Sequence, residues 1–302
     1  MPASEDVDTR VRAAMFAHLD RLRLAHPDGI PSSVINTFVF DGQPIRLVVQ
    51  PGIWKPARLA AALTIRTTWT PEGGQAPYED RVGPDGSLRY KWRGTDPDQA
   101  DNRALREAMA RNAPLAYFYP VARSVYAAIY PVYLVDEDRQ AHEFAVHLME
   151  PPAGVTVTWD GESHLDRRYV RRLTLHRLHQ VVFRPRVLRA YDSQCALCRL
   201  RHAPLLDAAH IIPDSRGGEP VVPNGLAMCK IHHAAYDTNI IGIRPDRVVE
   251  VRVDVLAEID GPMLRHGLQE MHGSTISLPR ARRDHPDPTR LEQRYEQFRA
   301  AA

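Results

Sequence analysis

The sequence predicts an α+β protein made of two unlike halves, a β-rich N-terminal domain and a C-terminal domain organised around metal. Three observations carry this. Short runs of β-branched and aromatic residues recur between positions 34 and 148, punctuated by Gly and Pro. All three cysteines, Cys195, Cys198 and Cys229, lie beyond residue 194. Residues 1–150 hold 17 Lys/Arg against 19 Asp/Glu, residues 151–302 hold 22 against 18, and ten of the 14 histidines fall in the second half. A chain of 302 residues suits two ordinary domains.

Residues 7–25 read as an amphipathic helix, with Val7, Val11, Met15, Leu19 and Leu22 at helical spacing. Pro27-Asp-Gly29 ends it. Strands are expected at 34–39, 45–49 and 60–69. A Gly/Pro-rich stretch at 71–77 and a turn at 83–86 precede a strand at 88–92. A helix follows at 102–111, then strands at 115–119, 129–135 and 143–148, which completes a domain over 1–150. Pro151-Pro152 opens a connector over 151–189. Within it, residues 164–189 carry eight arginines and three histidines against one acid, Asp166. It reads as a cationic helix interrupted by Pro185. The C-terminal domain, 190–302, holds a compact Cys/His region at 190–252 and tail helices at 255–271 and 288–300.

Composition excludes several classes. With 44% hydrophobic and 25% charged residues, the chain is neither collagen-like nor wholly disordered. No apolar run approaches the roughly 18–20 residues of a membrane span, so no membrane partner is expected. The N-terminus lacks the basic and apolar regions of a secretory signal, and a cytoplasmic location is expected. Three cysteines are too few, and odd in number, for a disulfide framework.

Cys195-x-x-Cys198 and Cys229-x-x-His232 form two ligand pairs separated by 30 residues. Two such knuckles suit a tetrahedral structural Zn2+. Between and after them lie Asp207-Ala-Ala-His-Ile-Ile-Pro213, Arg216-Gly-Gly218, Asn224-Gly-Leu-Ala-Met228 and His233-Ala-Ala-Tyr-Asp237. His210, Asn224 and His233 therefore follow one another within 24 residues.

This stretch, residues 190–252, resembles the HNH nuclease family, whose core is a β-hairpin and a helix around a catalytic metal (the ββα-metal fold). It is most similar to the zinc-stabilised, McrA-like, modification-dependent restriction branch. The resemblance implies a metal-dependent DNA endonuclease. It implies that His210 is the general base, that Asn224 fixes the connecting loop and orients the base, and that His233 on the helix is a ligand of Mg2+ or another divalent ion. The chemistry suits these residues. A neutral histidine can take a proton from water near pH 7, and the ion polarises the phosphate. One position departs from the family: Ala209 stands where many relatives carry a further metal ligand. Asp207 and Asp237 are the candidates to complete the shell. On a strand Asp207 faces away from His210, whereas on a helix Asp237 shares a face with His233. His232 belongs to the zinc spacing, and His233, about 100° further round the helix, turns towards the cleft.

The basic connector suits sequence-independent contacts to DNA phosphates through Arg168, Arg171, Arg172, Arg184 and Arg186, the alternative being a solvated helix face. Residues 78–146 show a second resemblance, to SRA domains, which are PUA-like β-barrels that bind a flipped 5-modified cytosine. Tyr78-Glu-Asp80, Tyr90-Lys-Trp-Arg-Gly94, Asp101-Asn-Arg-Ala-Leu105 and Tyr130-Pro-Val-Tyr133 follow that family's order. The resemblance implies an aromatic pocket in which Tyr78 and Tyr90 stack on the base, beside Trp92, and Asp80 accepts from its exocyclic amine. The alternative is that these aromatics fill a core.

The reading is thus a PUA/SRA-like β-barrel followed by a zinc-stabilised ββα-metal domain. It describes a type IV-like restriction endonuclease acting on double-stranded DNA near modified cytosine. The alternatives are a nuclease whose first domain reads phosphorothioate linkages or unmodified sequence, and a non-catalytic zinc-containing DNA-binding protein. One active site per chain and two strands to cut imply a homodimer, with the tail helices as interface or as packing.

Overall fold

The computed structural model describes residues 7–70, 87–148 and 181–301. The chain divides into two compact units, Met1–Val182 and Phe183–Ala302.

In the first unit, helix α1 (Val7–Ala25) buries Val11, Met15 and Leu19, as its periodicity predicts. Strand β1 (Ile30–Pro31) runs into a single helical turn, α2 (Ser32–Ile35), where a strand over 34–39 was expected. Asn36 explains the difference. Its side-chain oxygen accepts from the amides of Leu47 and Val48, and its amide donates to the Val48 carbonyl. One side chain thereby satisfies backbone groups that a partner strand would have taken, so 45–49 is not a strand either. Strands β2 (Val39–Phe40) and β3 (Gln43–Pro44) form a small hairpin. Asp41 and Gly42 between them both have positive φ, the pairing that a two-residue hairpin turn requires.

Strands β4 (Ile53–Trp54), β5 (Thr64–Arg66), β6 (Leu88–Lys91), β7 (Leu115–Ala122), β8 (Val125–Asp138) and β9 (Glu143–His147) build a mixed sheet in the order β4-β5-β7-β8-β9-β6, with β1 added on β8. Only β5 and β7 pair in parallel. Helix α3 (Ala100–Ala110) buries Ala104, Leu105 and Ala108. Strand β7 reads as a continuous apolar run because both of its faces are covered. Leu115 and Tyr117 join one core, with Leu105 and Phe144, while Ala116 and Phe118 join another, with Met15 and Leu47. The sheet curls into a half-barrel. Tyr90 on the last strand of the order donates its hydroxyl to the carbonyls of Gly52 and Arg66, both at 3.2 Å, beside the strands at the other end.

Residues 181–190 are helical (α4), the second unit beginning at Phe183, and the helix continues through Pro185, correcting the expected interruption. Proline removes one amide donor but keeps a helical φ, and burial of Phe183, Val187 and Leu188 offsets the loss. Strands β10 (Leu206–His210) and β11 (Gly225–Cys229) form an antiparallel hairpin that pairs residue for residue, Leu206 with Cys229 through His210 with Gly225. Helix α5 (Lys230–Asp237) follows at once. A second hairpin, β12 (Ile241–Ile243) and β13 (Val249–Val251), comes next. The expected helix over 255–271 is broken into α6 (Val253–Ala257), α7 (Pro262–Gly267) and a 3-10 turn, Gln269–Met271, because Gly261-Pro262 starts a new helix rather than continuing one.

Helix α8 (Pro288–Ala301) is bolted to the end of α5. Its buried Arg294 donates to the Asn239 side chain at 2.6 Å and to the Tyr236 carbonyl, and stacks over the Tyr236 ring at 4.5 Å. Phe298 fills the space over Gly242, where a Cβ would sit 2.5 Å from the ring. Among the described residues, no helix is long and apolar enough to cross a membrane.

Candidate functional site

The Cys/His cluster assembles where the hairpin meets α5. Cys229 closes β11 and His232 lies in the first turn of α5. His232 Nδ1 is 3.4 Å from Cys195 Sγ and 3.1 Å from Cys229 Sγ, and Cys198 Sγ is 4.0 Å from Cys229 Sγ. All four ligand atoms lie within 4.8 Å of one another. Tetrahedral zinc, with bonds of about 2.3 Å to sulfur and 2.0 Å to nitrogen, sets neighbouring ligands roughly 3.5–3.8 Å apart, so this donor set fits the ion. The other imidazole nitrogen, Nε2, hydrogen-bonds the Gly267 carbonyl at 2.7 Å. That bond places the ring proton on Nε2 and leaves Nδ1 bare towards the sulfurs, the usual outer-shell anchor of a ligating histidine. The sulfurs also perturb one another strongly. Hydrogen bonds with Cys195 and Cys198 hold the Cys229 thiol far below its ordinary range. Cys195 and Cys229 in turn drive Cys198 far above it. A cation held among them would let all three ionise.

The loop between β10 and β11 is held by Asn224, which is fully buried. Its side-chain oxygen accepts from the Ile212 amide, and its nitrogen donates to the carbonyls of Ile212 and Glu219, all at 2.9 Å. Gly218 makes this possible: a Cβ there would fall 1.8 Å from the Ile212 carbonyl oxygen. The Ile211 amide, next to His210, donates to the Asn224 carbonyl. Asn224 therefore fixes the chain that emerges from His210.

His210 ends β10 and is half-buried, stacked on Phe183. His233 sits on α5 between two carboxylates. Asp207 Oδ2 is 3.6 Å from its Nδ1, and Asp237 Oδ2 is 3.3 Å from its Nε2. The nearby Asp207 carboxylate, against the opposing effect of burial, raises the proton affinity of His233 above the ordinary imidazole value. The strand has no bulge, so Asp207 does face away from His210. This does not remove it from the site, because His233 reaches the Asp207 side of the strand. Asp207 also meets Arg184, whose Nε is 3.3 Å away and whose terminal nitrogen donates to the Leu206 carbonyl at 2.7 Å. Arg184 thus engages the hairpin. Arg186 lies two residues further along α4, half-buried. Arg168, Arg171 and Arg172 lie outside the described residues, as do Tyr78 and Asp80.

In the first unit Tyr90 and Trp92 are both buried. The Tyr90 hydroxyl is engaged at the seam of the half-barrel. Trp92 stacks on His142 with centroids 4.9 Å apart, and the Arg106 guanidinium lies 5.2 Å from its ring centre. Both rings still contribute to the wall of a small pocket of about 60 Å³, shared with Gly52, Arg66, Thr68 and Arg93. The motif reading missed Phe183, which left no sequence signal and is visible only once α4 is packed on the hairpin. It named Arg184 and Gly218, but not the contacts of Arg184 with the hairpin or the close approach of Gly218 to Ile212.

A hairpin and helix carrying His210, Asn224 and His233 beside a Cys3His cluster define a class, and comparison with known proteins names it. Residues 195–244 match the family model described as HNH endonuclease. This segment is an HNH endonuclease domain, and the protein is a metal-dependent DNA nuclease. No curated protein matches the chain. Among solved structures it is similar to a modification-dependent TagI restriction endonuclease, with a TM-score of 0.30 and 16% identity, covering 82% of this chain and 85% of that one. It is also similar to the type IV phosphorothioation-dependent restriction endonuclease ScoMcrA, with a TM-score of 0.22 and 12% identity, covering 76% of this chain and 65% of that one. Both likenesses are distant.

Proposed function

We propose that the protein is a modification-dependent restriction endonuclease whose C-terminal unit hydrolyses DNA phosphodiesters and whose N-terminal unit reads a modified cytosine. The observation that carries the catalytic half is the placement of His210 at the end of a hairpin strand, with Asn224 holding the loop beside it and His233 flanked by carboxylates. His210 takes the proton of the attacking water. His233, with Asp207 and Asp237, would hold a divalent ion such as Mg2+. When bound, such an ion stabilises charge on the phosphate and the leaving oxygen. Only one nitrogen of His233 can face the ion, so one carboxylate orients the ring from the other side. Cys195, Cys198, Cys229 and His232 would hold a structural Zn2+.

The reading half rests on the SRA-like order of motifs and on the pocket bordered by Tyr90, Trp92 and Arg66. Tyr78 and Asp80 take their base-reading roles in this proposal from the SRA resemblance alone. DNA backbone contacts come from Arg168, Arg171, Arg172 and Arg186, and from the exposed Arg282 and Arg283, whose turn packs beside the Val222–Asn224 turn. Two copies act together to cut both strands. The interface is not the apolar side of α8, because Leu291 and Phe298 are spent inside the unit.

Plasmid nicking with Mg2+ tests the nuclease, with His210→Ala as the inactive control. Absence of metal-dependent cleavage on modified and unmodified DNA alike overturns it. Gel shifts with His210→Ala protein on matched unmodified, 5-methylcytosine, 5-hydroxymethylcytosine and phosphorothioate duplexes test the reader. Tighter binding to the cytosine-modified pair is expected. Equal binding to all four removes modification sensing, and preference for the phosphorothioate duplex replaces the ligand.

A further inference from the structure

Helix α4 contributes a residue to the nuclease site that the catalytic motif does not contain. The Phe183 ring lies face to face with the His210 imidazole, with centroids 4.0 Å apart and planes 16° from parallel. Phe183 is only 3% exposed, so its ring is held by the core. Strand β11 fixes it from the hairpin side. Gly225 pairs with His210 across the hairpin, and a Cβ on Gly225 would sit 2.8 Å from Phe183 Cζ and 2.4 Å from Val187 Cγ2. The ring fits because that position is glycine. The neighbouring Arg184 grips the same strand further back, at the Leu206 carbonyl and Asp207. Two successive residues of α4 therefore clasp β10 along its length.

A histidine at the end of a strand has broad freedom about its second side-chain torsion unless something packs against its face. A proton acceptor has to be held within about 0.5 Å and 10–20° of its working geometry. A stack supplies that restraint through the ring face and leaves hydrogen bonding at the ring edge untouched.

We infer that Phe183 is a positioning residue for the nuclease reaction: its ring face holds the His210 imidazole in the orientation that takes a proton from the attacking water. This rests on His210 being the general base.

The test uses the full-length protein. Phe183→Leu keeps the apolar fill and removes the flat face; Val187→Ala removes core volume from the same helix without a stack on His210. In plasmid cleavage with Mg2+, Phe183→Leu is expected to lower kcat on the order of 10- to 100-fold, the size of effect a misplaced catalytic group produces. KM should change by no more than about twofold, because no ground-state contact to DNA is lost. Val187→Ala should keep most of the rate. Equal rates in wild type and Phe183→Leu overturn the inference, and so does an equal loss in Val187→Ala. If the Leu variant loses its cooperative melt, Phe183→Met takes its place. A second readout needs no activity. The His210 ring-proton NMR signals, assigned by their absence in His210→Ala, should be shifted upfield by the Phe183 ring current and return towards free-histidine positions in Phe183→Leu. Unshifted wild-type signals overturn the stack even in a protein that cuts DNA, whereas a wild type with shifted signals and no cleavage removes the nuclease reading instead.

Discussion

His232 and His233 are neighbours in the chain and live in opposite chemical worlds. His232 is 2% exposed, faces three sulfurs and anchors its second nitrogen on the Gly267 carbonyl. His233 is partly exposed and faces only carboxylate oxygens, those of Asp207 and Asp237. One residue along a helix turns a side chain by about 100°, enough to carry it from one pocket to the other. Soft sulfur donors select zinc, and hard oxygen donors select magnesium-like ions. In the proposed reading, helix α5 therefore separates donors suited to a structural metal from donors suited to a catalytic one.

The largest effect expected is loss of the sulfur side. Structural zinc contributes roughly 10–16 kcal/mol to folding in small zinc domains. Cys229→Ser should therefore reduce zinc content to zero by metal analysis and abolish the cooperative melt of the second unit. A variant that melts like wild type without zinc would erase the contrast between the two histidines. Next, His210→Ala should lower kcat by about 10²- to 10⁴-fold, the range for a lost general base, with zinc content and melting temperature unchanged.

Asn224→Ala tests the loop between the two halves of the site. It strands the Ile212 amide and two carbonyls in a buried place, at about 1–3 kcal/mol for each group left unpaired. Calorimetry should show a lower melting temperature, and cleavage should slow with it. On the oxygen side, Asp207→Asn and Asp237→Asn should each weaken Mn2+ binding by about 10- to 100-fold, whether the carboxylate ligates or orients. Zinc content should stay at one per chain in both, and loss of zinc in either would show that the two centres are not separate.

The smallest effect is a shift in pH dependence. Asp207 holds the His233 proton more tightly than in free imidazole, and a metal ligand must give that proton up. Mn2+ affinity should therefore fall as pH drops, beginning above the ordinary histidine value of about 6.5. Asp207→Asn should move that fall to lower pH. In the metal-free protein the sign is opposite. The raised His233 value stabilises the fold below the unfolded pKa, and this contribution disappears as pH rises through the folded one.

Much of the geometry of the candidate site was legible in the sequence, because its parts are local. Cys-x-x-Cys and Cys-x-x-His each close a knuckle within four residues, and the hairpin and helix that carry His210, Asn224 and His233 are consecutive. The same locality made α1, α3 and the strands β6 to β9 readable from periodicity. The segments read wrongly have separate, local causes. Asn36 replaced a strand partner for 47–48, and Gly261-Pro262 divided a tail whose apolar spacing suggested one helix.

The sequence by itself determined which donors exist and how they are grouped: three sulfurs and a nitrogen in one set, nitrogens and carboxylates in another, in a fixed order along one hairpin and helix. Tertiary structure decided which way they look. It turned Arg184 inward onto Asp207, brought Asp207 to His233 from the face away from His210, placed Phe183 on His210 and curled the first unit's sheet until Tyr90 bridged its ends. The reason is physical. Ligand spacing is a property of a few consecutive residues, whereas orientation depends on the close packing of elements far apart in the chain, where a single Cβ on Gly225 or Gly218 would forbid the arrangement.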